Sequence, residues 1–369
     1  MAVTLTSTPR QDGFRMPGEF EPHAQCWMLW PERGDVWRLG AKPAQKVFVE
    51  VAKAIAEGEP VTVGASPRQY ANARRMLPDP IRVVEIENDD TWMRDTGPTF
   101  VVNGSSQVRG IDWEFNAWGG LDGGLYFPWD QDRLVARKVL EIERLDRYEA
   151  PLVLEGGSIH VDGEGTLLTT EECLLNPNRN PRCTKSQIEN MLIDYLNLER
   201  LIWLPRGVHR DETSGHIDEL ACFVRPGVVA LTWTDDKSDP QHEISAEAYD
   251  ILRNSTDAKG RPLEVHKLHQ PDPVIIREDE AGGIDLAQGS FPRTAGTRLA
   301  ASYVNHYAGN GIVVMPFFGG RHDEPARAKL AELYPGRKII PVTGAREIAL
   351  GGGNIHCITQ QQPLGRRGP

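Results

Sequence analysis

The residue best suited to nucleophilic chemistry is Cys357, which stands in the segment GGGNIHCIT directly after three glycines. Glycines let the backbone adopt positive φ angles and approach a ligand closely, so this context places the thiol in a loop. A single cysteine is also an ordinary small core residue. The neighbouring His356 is a poor base for the thiol, because adjacent residues of a strand point to opposite faces. We therefore expect the base to come from elsewhere in the chain.

His216, in the segment DETSGHIDELACF, is the candidate for that base. His216 and Asp218 are two residues apart, so on a strand their side chains lie on one face. The segment is dense in acids, which include Asp211 and Glu212. The alternative interpretation is a solvated loop that carries a surface histidine.

Two more carboxylates stand in polar segments next to apolar strands. Glu155 lies in VLEGGSIHVDG, where the alternative is a turn residue at a strand end. Asp95 lies in NDDTWMRDTGP, where the alternative is a turn or a helix cap with an arginine partner.

A thiol, a histidine and three carboxylates are the groups needed to attack an electron-poor carbon carried by a cation. A planar guanidinium pairs with carboxylates through two parallel hydrogen bonds. Its charge also offsets the carboxylates, which otherwise disfavour a thiolate. A protease would not place several acids around its thiol for the same reason. The residue set therefore predicts a guanidinium substrate.

The elements that must position these residues alternate between helix and strand, which predicts an α/β fold. Apolar spacing predicts helices over 42–57, 67–76, 130–149, 184–197 and 323–333. Apolar runs predict strands over 60–65, 81–86, 151–154, 201–205, 227–231, 311–318 and 338–342.

A polar, glycine-rich segment recurs five times between these elements, and each reads as a short strand. The five segments are 91–98, 154–163, 214–223, 301–310 and 350–359. Recurrence of one supersecondary unit indicates a ring-like or propeller-like array, with the polar groups facing a shared central cavity. The alternative is coincidence among glycine-rich turns.

Bulk properties exclude several classes of function. The net charge is −11, from 52 acidic and 41 basic side chains, which opposes nucleic-acid binding and is compatible with a cationic substrate. The first twenty residues lack a secretory apolar region, and no run of eighteen apolar residues predicts a membrane span. The five cysteines form no C-x-x-C pair, which is typical of reduced cytoplasmic thiols. We expect one domain over 1–369 with a frayed tail over 363–369.

The chain resembles the agmatine deiminases, which belong to the guanidino-modifying penteins together with arginine deiminase and bacterial-type peptidylarginine deiminase. The resemblance runs nearly from end to end. It rests on MPGEFEPHAQCWMLWPERGDVWR, DDTWMRDTGP, FNAWGG, LEGGSIHVDGEGTLLTTEECLLNPNRNP, DETSGHIDE and GGGNIHCITQQQP. It implies a pentein fold, a five-fold pseudosymmetric ring of ββαβ-type units around a central site. It also implies agmatine as substrate, a place in putrescine formation, no cofactor or metal, and a homo-oligomer (a dimer or tetramer).

The resemblance also implies a role for each matching residue. Cys357 is then the nucleophile and His216 the general acid and base. Asp95 and Asp218 hold the guanidinium nitrogens, and Glu155 binds the guanidinium and supports His216.

Three further positions match the family near the site. Trp92 and Trp118 would wall off the bound cation. Glu212 would meet the terminal ammonium of agmatine. Single aromatic and acidic residues are more often packing or surface residues.

Other interpretations remain open from the residues alone. Within the same chemistry they are a free-arginine or peptidylarginine deiminase and an amidinotransferase, which passes its covalent intermediate to an amine. From other classes they are a ribosome-binding pentein without activity, a cysteine protease, and a zinc site. The conceivable zinc ligands are His160, His216 and His356, whose spacing matches no known zinc motif.

Overall fold

The computed structural model describes residues 2–365 and alternates short strands with helices. The strands are β1 (Thr4–Leu5), β2 (Phe14–Arg15), β3 (His23–Leu29), β4 (Val61–Ala65), β5 (Arg82–Glu85), β6 (Thr99–Asn103), β7 (Val108–Glu114), β8 (Arg147–Val153), β9 (Ile159–Val161), β10 (Thr166–Thr170), β11 (Arg200–Leu204), β12 (Ala221–Arg225), β13 (Val228–Trp233), β14 (Glu264–His269), β15 (Tyr307–Gly309), β16 (Ile312–Pro316), β17 (Lys338–Val342) and β18 (Gln360–Pro363).

The helices vary from one turn to four. They are α1 (Lys42–Ala56), α2 (Tyr70–Met76), α3 (Met93–Thr96), α4 (Gly120–Gly123), α5 (Val135–Glu143), α6 (Glu171–Leu174), α7 (Lys185–Leu196), α8 (Ile217–Leu220), α9 (Pro240–Arg253), α10 (Glu278–Ala281), α11 (Asp323–Leu333) and α12 (Arg346–Gly351), with 3₁₀ turns at Asp132–Leu134 and Gly156–Ser158.

The strands of residues 2–365 form five separate sheets that share one pattern of pairing. Their strand orders are β1-β8-β7-β6-β2, β11-β10-β9, β12-β13-β14, β15-β16-β17 and β18-β3-β4-β5. In each sheet one strand pairs antiparallel with one neighbour and parallel with the other; these central strands are β7, β10, β13, β16 and β3. In the last sheet β18 pairs with β3, so the end of the described chain joins its beginning.

A helix crosses between the two parallel strands of each sheet, because parallel neighbours cannot be joined by a tight turn. The crossing helices are α5, α7, α9, α11 and α1. Each presents an apolar stripe to its sheet; in α1 the stripe includes Val47, Phe48, Val51 and Ile55, all buried. The apolar core is accordingly divided into several clusters rather than one.

The helices predicted over 42–57, 184–197 and 323–333 are confirmed as α1, α7 and α11. The helix predicted over 130–149 is wrong in its second half. Helix α5 ends at Glu143, where Arg144 takes the left-handed conformation (φ 57°) and caps the helix. Strand β8 then begins and pairs with β7, so tertiary pairing outweighs the helical spacing of the charged residues.

The five polar segments predicted as strands are only partly strands. The segments 91–98 and 214–223 contain the single helical turns α3 and α8, and 154–163 begins with a 3₁₀ turn before β9. The segment 350–359 is the end of α12 and the turn after it. A helical turn forms hydrogen bonds among its own backbone groups, so these segments need no neighbouring strand and their polar side chains stay available for other contacts.

The frayed tail predicted over 363–369 begins too early in the chain. Pro363 is the last residue of β18, and the backbone N–H of Leu364 donates to the carbonyl of Pro22 over 2.7 Å. Residues 366–369 lie outside the described residues. Within residues 2–365, every helix is too short or too polar to span a bilayer.

Helix α7 offers a test of the local determinants of this fold. Its N-terminus is a capping box, in which the Thr184 hydroxyl accepts from the backbone N–H of Gln187 and the Gln187 side chain accepts from that of Thr184. We predict that Thr184→Ala lowers the free energy of unfolding by about 1 kcal/mol, measured by chemical denaturation, since a backbone donor loses its partner. Thr184→Ser keeps the hydroxyl and should stay near wild type. Equal stability of the alanine variant would contradict this account.

Candidate active site

Each of the five sheets contributes one polar residue to a common site, from the segment just before its antiparallel pair of strands. Asp95 precedes β6, Glu155 precedes β9, Asp218 precedes β12, Asn305 precedes β15 and Cys357 precedes β18. The recurring polar segments of the sequence are therefore the segments that build this site.

Cys357 lies in the turn after α12 and is 7% exposed. The side-chain amide of Asn305 donates to its Sγ over 3.3 Å, and Oδ2 of Asp218 lies 3.7 Å from Sγ. The loop expected from the three glycines is present. A Cβ atom on Gly353 would lie 2.6 Å from the Trp92 ring and 3.0 Å from the Cys357 sulfur, so this position has room only for glycine.

The surroundings of Cys357 favour the neutral thiol. Burial raises its pKa well above the usual value, and the carboxylates of Asp218, Glu219 and Asp95 raise it further. A thiolate at neutral pH therefore needs an additional positive charge in the cavity.

His216 and two acids meet around Gly157. A Cβ atom on this glycine would lie 2.6 Å from His216 Nδ1, 2.9 Å from Asp95 Oδ1 and 3.1 Å from Asp218 Oδ2. The expectation that His216 and Asp218 share one face of a strand is wrong, because Asp218 lies in the helical turn α8 and His216 precedes it. The turn nevertheless brings both side chains to the same point.

His216 lies between two carboxylates. Its Nδ1 is 3.9 Å from Asp95 Oδ1 and its Nε2 is 3.5 Å from Glu155 Oε2. Burial alone would lower the pKa of His216, but Asp95, Cys173 and Glu155 outweigh it and raise the pKa well above 6.5. His216 is therefore protonated at neutral pH and can act first as an acid.

Glu155 is fully buried and paired with Arg179, which the sequence reasoning missed. Arg179 Nε donates to Glu155 Oε1 over 2.7 Å, and its other nitrogens donate to the carbonyls of Thr213 and Trp118. Burial alone would raise the pKa of Glu155, but the Arg179 charge dominates and the pKa falls to about 2. The sequence offered only the general rule that a buried carboxylate needs a cationic partner, and this rule does not single out Arg179 among the arginines.

Asp95 is held by two donors and keeps lone pairs free. The backbone N–H of Gly157 donates to Oδ1 over 2.9 Å, and Trp118 Nε1 donates to Oδ2 over 3.0 Å. Burial raises the pKa of Asp95 to about 6, with Asp218 and Glu155 adding to this and His216 opposing it.

Asp218 is oriented by His356, the residue that we expected to point away from Cys357. Because residues 355–358 form a turn rather than a strand, the His356 ring reaches Asp218 Oδ2 with Nδ1 over 2.7 Å. Its Nε2 lies 2.7 Å from Glu19 Oε2, which sequence reasoning also missed. Within residues 2–365, Asp218 Oδ1 is buried without a hydrogen-bond partner, so it is available to a ligand.

A cavity opens onto Cys357 and Asp95. Its walls include Asp95, Trp92, Trp118, Phe291, Arg293 and Cys357. Trp92 is oriented by Asp90, which accepts from its Nε1 over 2.7 Å. Both tryptophans predicted near the site thus line the cavity. Glu212 borders it but is paired with Arg293 through two hydrogen bonds of 2.6 and 2.7 Å.

The three histidines considered as zinc ligands do not meet at one point. His160 and His356 lie together with Glu19, whereas His216 lies with Glu155 and a cysteine. The backbone N–H of Phe223 donates to Nδ1 of His160, so a neutral ring carries its proton on Nε2 and has no lone pair there for a metal. Both ring nitrogens of His356 already face carboxylates.

Comparison with known proteins gives a consistent answer over nearly the whole chain. The profile of the Porphyromonas-type peptidyl-arginine deiminase family matches residues 15–363. A Listeria monocytogenes relative is 64% identical over 98% of this chain and 100% of its own length. The agmatine deiminase of Pseudomonas aeruginosa is 59% identical over 98% of this chain and 99% of that protein.

Among solved structures, this chain is similar to the agmatine deiminase of Enterococcus faecalis. The two share 50% identity with a TM-score of 0.96, covering 99% of this chain and 100% of that one. The agmatine deiminase of C. jejuni, solved with substrate bound, is 26% identical with a TM-score of 0.83, covering 96% and 97%.

The raised pKa of Asp95 predicts a pH dependence of cation binding. Below pH 6 this carboxyl gains a proton and loses its charge, whereas Glu155 and Asp218 have lowered pKa values and stay ionised. For the Cys357→Ala variant, the affinity for a guanidinium ligand should fall about tenfold for each pH unit below 6, measured by calorimetry. Asp95→Asn in that background should bind weakly and lose the inflection. An unchanged affinity from pH 7 to pH 5 would contradict this assignment.

Proposed function

Because this chain belongs to the Porphyromonas-type peptidyl-arginine deiminase family, among its agmatine deiminases, we propose that it hydrolyses agmatine to N-carbamoylputrescine and ammonia. It is a hydrolase that acts on the C–N bonds of linear amidines. The observation that carries this conclusion is the meeting of a buried thiol, a histidine and several carboxylates at one point beside the cavity.

Substrate binding relies on the free acceptors of the cavity. The guanidinium nitrogens donate to Asp95 and to the unpartnered Oδ1 of Asp218. Glu155 has one oxygen engaged by Arg179, so its second oxygen serves mainly to orient His216. Trp92 and Trp118 enclose the cation and the methylene chain, which limits the access of water. Such positioning supplies several kcal/mol of the barrier reduction.

The bound cation supplies the positive charge that the thiol lacks at rest. It lowers the pKa of Cys357, the thiol releases its proton to solvent, and the thiolate attacks the guanidinium carbon, whose C=N electron pair moves onto nitrogen. His216 gives its proton to the departing nitrogen, so that ammonia leaves and a covalent thiouronium remains. Neutral His216 then takes a proton from water, which attacks the same carbon, breaks the C–S bond and releases the ureido product.

The architecture that this proposal requires is the pentein ring. We propose that the five sheets are copies of one ββαβ-type unit, arranged with five-fold pseudosymmetry in one domain over 1–369. Support comes from the shared pairing pattern, the five crossing helices and the pairing of β18 with β3. Each unit then contributes its polar segment to the centre.

The setting of the reaction follows from charge and cysteine chemistry. All five cysteines are unpaired, which is typical of a reducing compartment, so we place the enzyme in the cytoplasm. The homo-oligomer that the family resemblance implies stays a prediction. The net charge of −11 suits a dicationic substrate rather than nucleic acid. Neither a cofactor nor a resident metal is needed for the steps above.

The closest alternative within the same chemistry is deimination of arginine or of an arginyl peptide. One solved relative, at 27% identity and a TM-score of 0.84, is described as a peptidyl-arginine deiminase. We predict that the purified protein releases ammonia and a ureido product from agmatine at a kcat/KM at least tenfold above that for arginine or a blocked arginyl peptide. A preference for either alternative would overturn the choice of agmatine.

The nucleophile is tested by substitution. Cys357→Ser and Cys357→Ala should both lose turnover to below a thousandth of wild type, because the sulfur forms the covalent bond, while agmatine binding persists in calorimetry. Cys222→Ser is a matched control, since this thiol is also buried but lies outside the cavity lining. Substantial activity of the Cys357 variants would contradict the assignment.

A further inference from the structure

Arg293 is a buried cation at the wall of the cavity that no step of the reaction uses. Its guanidinium pairs with Glu212 through Nη1 and Nη2 over 2.6 and 2.7 Å, and Nη2 also donates to the carbonyl of Gly351 over 2.6 Å. The two side chains are 3% and 10% exposed. Within residues 2–365 the Nε of Arg293 is buried without a hydrogen-bond partner.

The Glu212–Arg293 pair packs against Gly352, and the next residue, Gly353, packs against the Cys357 sulfur. A Cβ atom on Gly352 would lie 2.7 Å from Glu212 Oε2 and 2.9 Å from Arg293 Nη2, and one on Gly353 would lie 3.0 Å from the Cys357 sulfur. Because consecutive Cα atoms are about 3.8 Å apart, these contacts place the ion pair within about 12 Å of the sulfur. Six bonds separate the guanidinium carbon of agmatine from its ammonium nitrogen and span about 7 Å. With a contact at each end, the substrate reaches the pair.

The two members of the pair offer different chemistry to that end of the substrate. Each Glu212 oxygen accepts one hydrogen bond from Arg293 and keeps a lone pair for an ammonium. Arg293 keeps Nε–H without a partner, and a guanidinium with free donors binds a carboxylate. Arginine differs from agmatine only by an α-carboxylate at this end. That carboxylate would approach Arg293 and meet the negative charge of Glu212 beside it.

We propose that the Glu212–Arg293 ion pair selects agmatine over arginine, with Glu212 neutralising a guanidinium that would otherwise bind the substrate α-carboxylate. This inference rests on the proposed function and assigns Arg293 as a latent carboxylate site. Removing the charge of Glu212 leaves Arg293 able to accept arginine. Removing Arg293 as well takes that ability away.

The test compares kcat/KM for agmatine and arginine in matched variants. Glu212→Gln keeps the shape of the side chain and loses its charge. The kcat/KM for arginine, divided by that for agmatine, should therefore rise roughly 10- to 100-fold, which corresponds to the free energy of one charged hydrogen bond. In the double variant Glu212→Gln with Arg293→Gln, the activity gained on arginine should disappear.

The control is a second bidentate pair that does not line the cavity. Arg298 donates to both oxygens of Asp239 over 2.8 and 2.9 Å, and Asp239→Asn removes the same charge there. This variant should keep the wild-type substrate ratio. Melting temperatures of all variants separate a loss of folding from a change of selectivity.

Two results would overturn the inference. One is a Glu212→Gln enzyme that loses activity on both substrates by the same factor. The other is a gain on arginine that survives in the double variant. Either result can occur in an enzyme whose wild type prefers agmatine. The proposed function is tested by the substrate preference of the wild type, whereas this inference is tested by the variants.

Discussion

The structure is organised around negative charge buried beside a neutral thiol. Burial raises the pKa of Cys357, and the carboxylates of Asp218, Glu219 and Asp95 raise it further. Buried charge without a partner is costly, so these acids favour a cationic ligand. The same ligand lowers the pKa of the sulfur that attacks it. Binding and activation are therefore one electrostatic event, and an uncharged substrate could trigger neither.

This arrangement explains the form of the fold. A single sheet cannot direct several carboxylates, an imidazole and a thiol at one carbon, because alternate residues of a strand face opposite ways. Here each sheet contributes one residue from the segment before its antiparallel pair, from Asp95 before β6 to Cys357 before β18. Helical turns in these segments form their own backbone hydrogen bonds, which leaves the side chains free to contact the active site. The crossing helices cover the apolar faces of the sheets.

Much of the site could be predicted from sequence, but its ion partners could not. The glycines before Cys357 and the acids around His216 are local patterns, and the family motifs supply their roles. The pairing of Arg179 with Glu155 and of His356 with Glu19 joins residues that are distant along the chain, and no local spacing encodes it. The errors have the same origin, since the end of α5 is set by the pairing of β8 with β7. Helices α1, α7 and α11 were predictable because their apolar spacing is a local pattern, whereas the equally long α9 was not predicted.

During turnover the Cys357 sulfur becomes covalently bonded to the guanidinium carbon while the surrounding carboxylates hold the cation. The mass of the Cys357 peptide after an acid quench during turnover of agmatine tests this bond. We expect a peptide heavier by agmatine less one ammonia, formed and lost at rates that match turnover. A peptide that stays unmodified throughout turnover, or an adduct on a different cysteine, would contradict it.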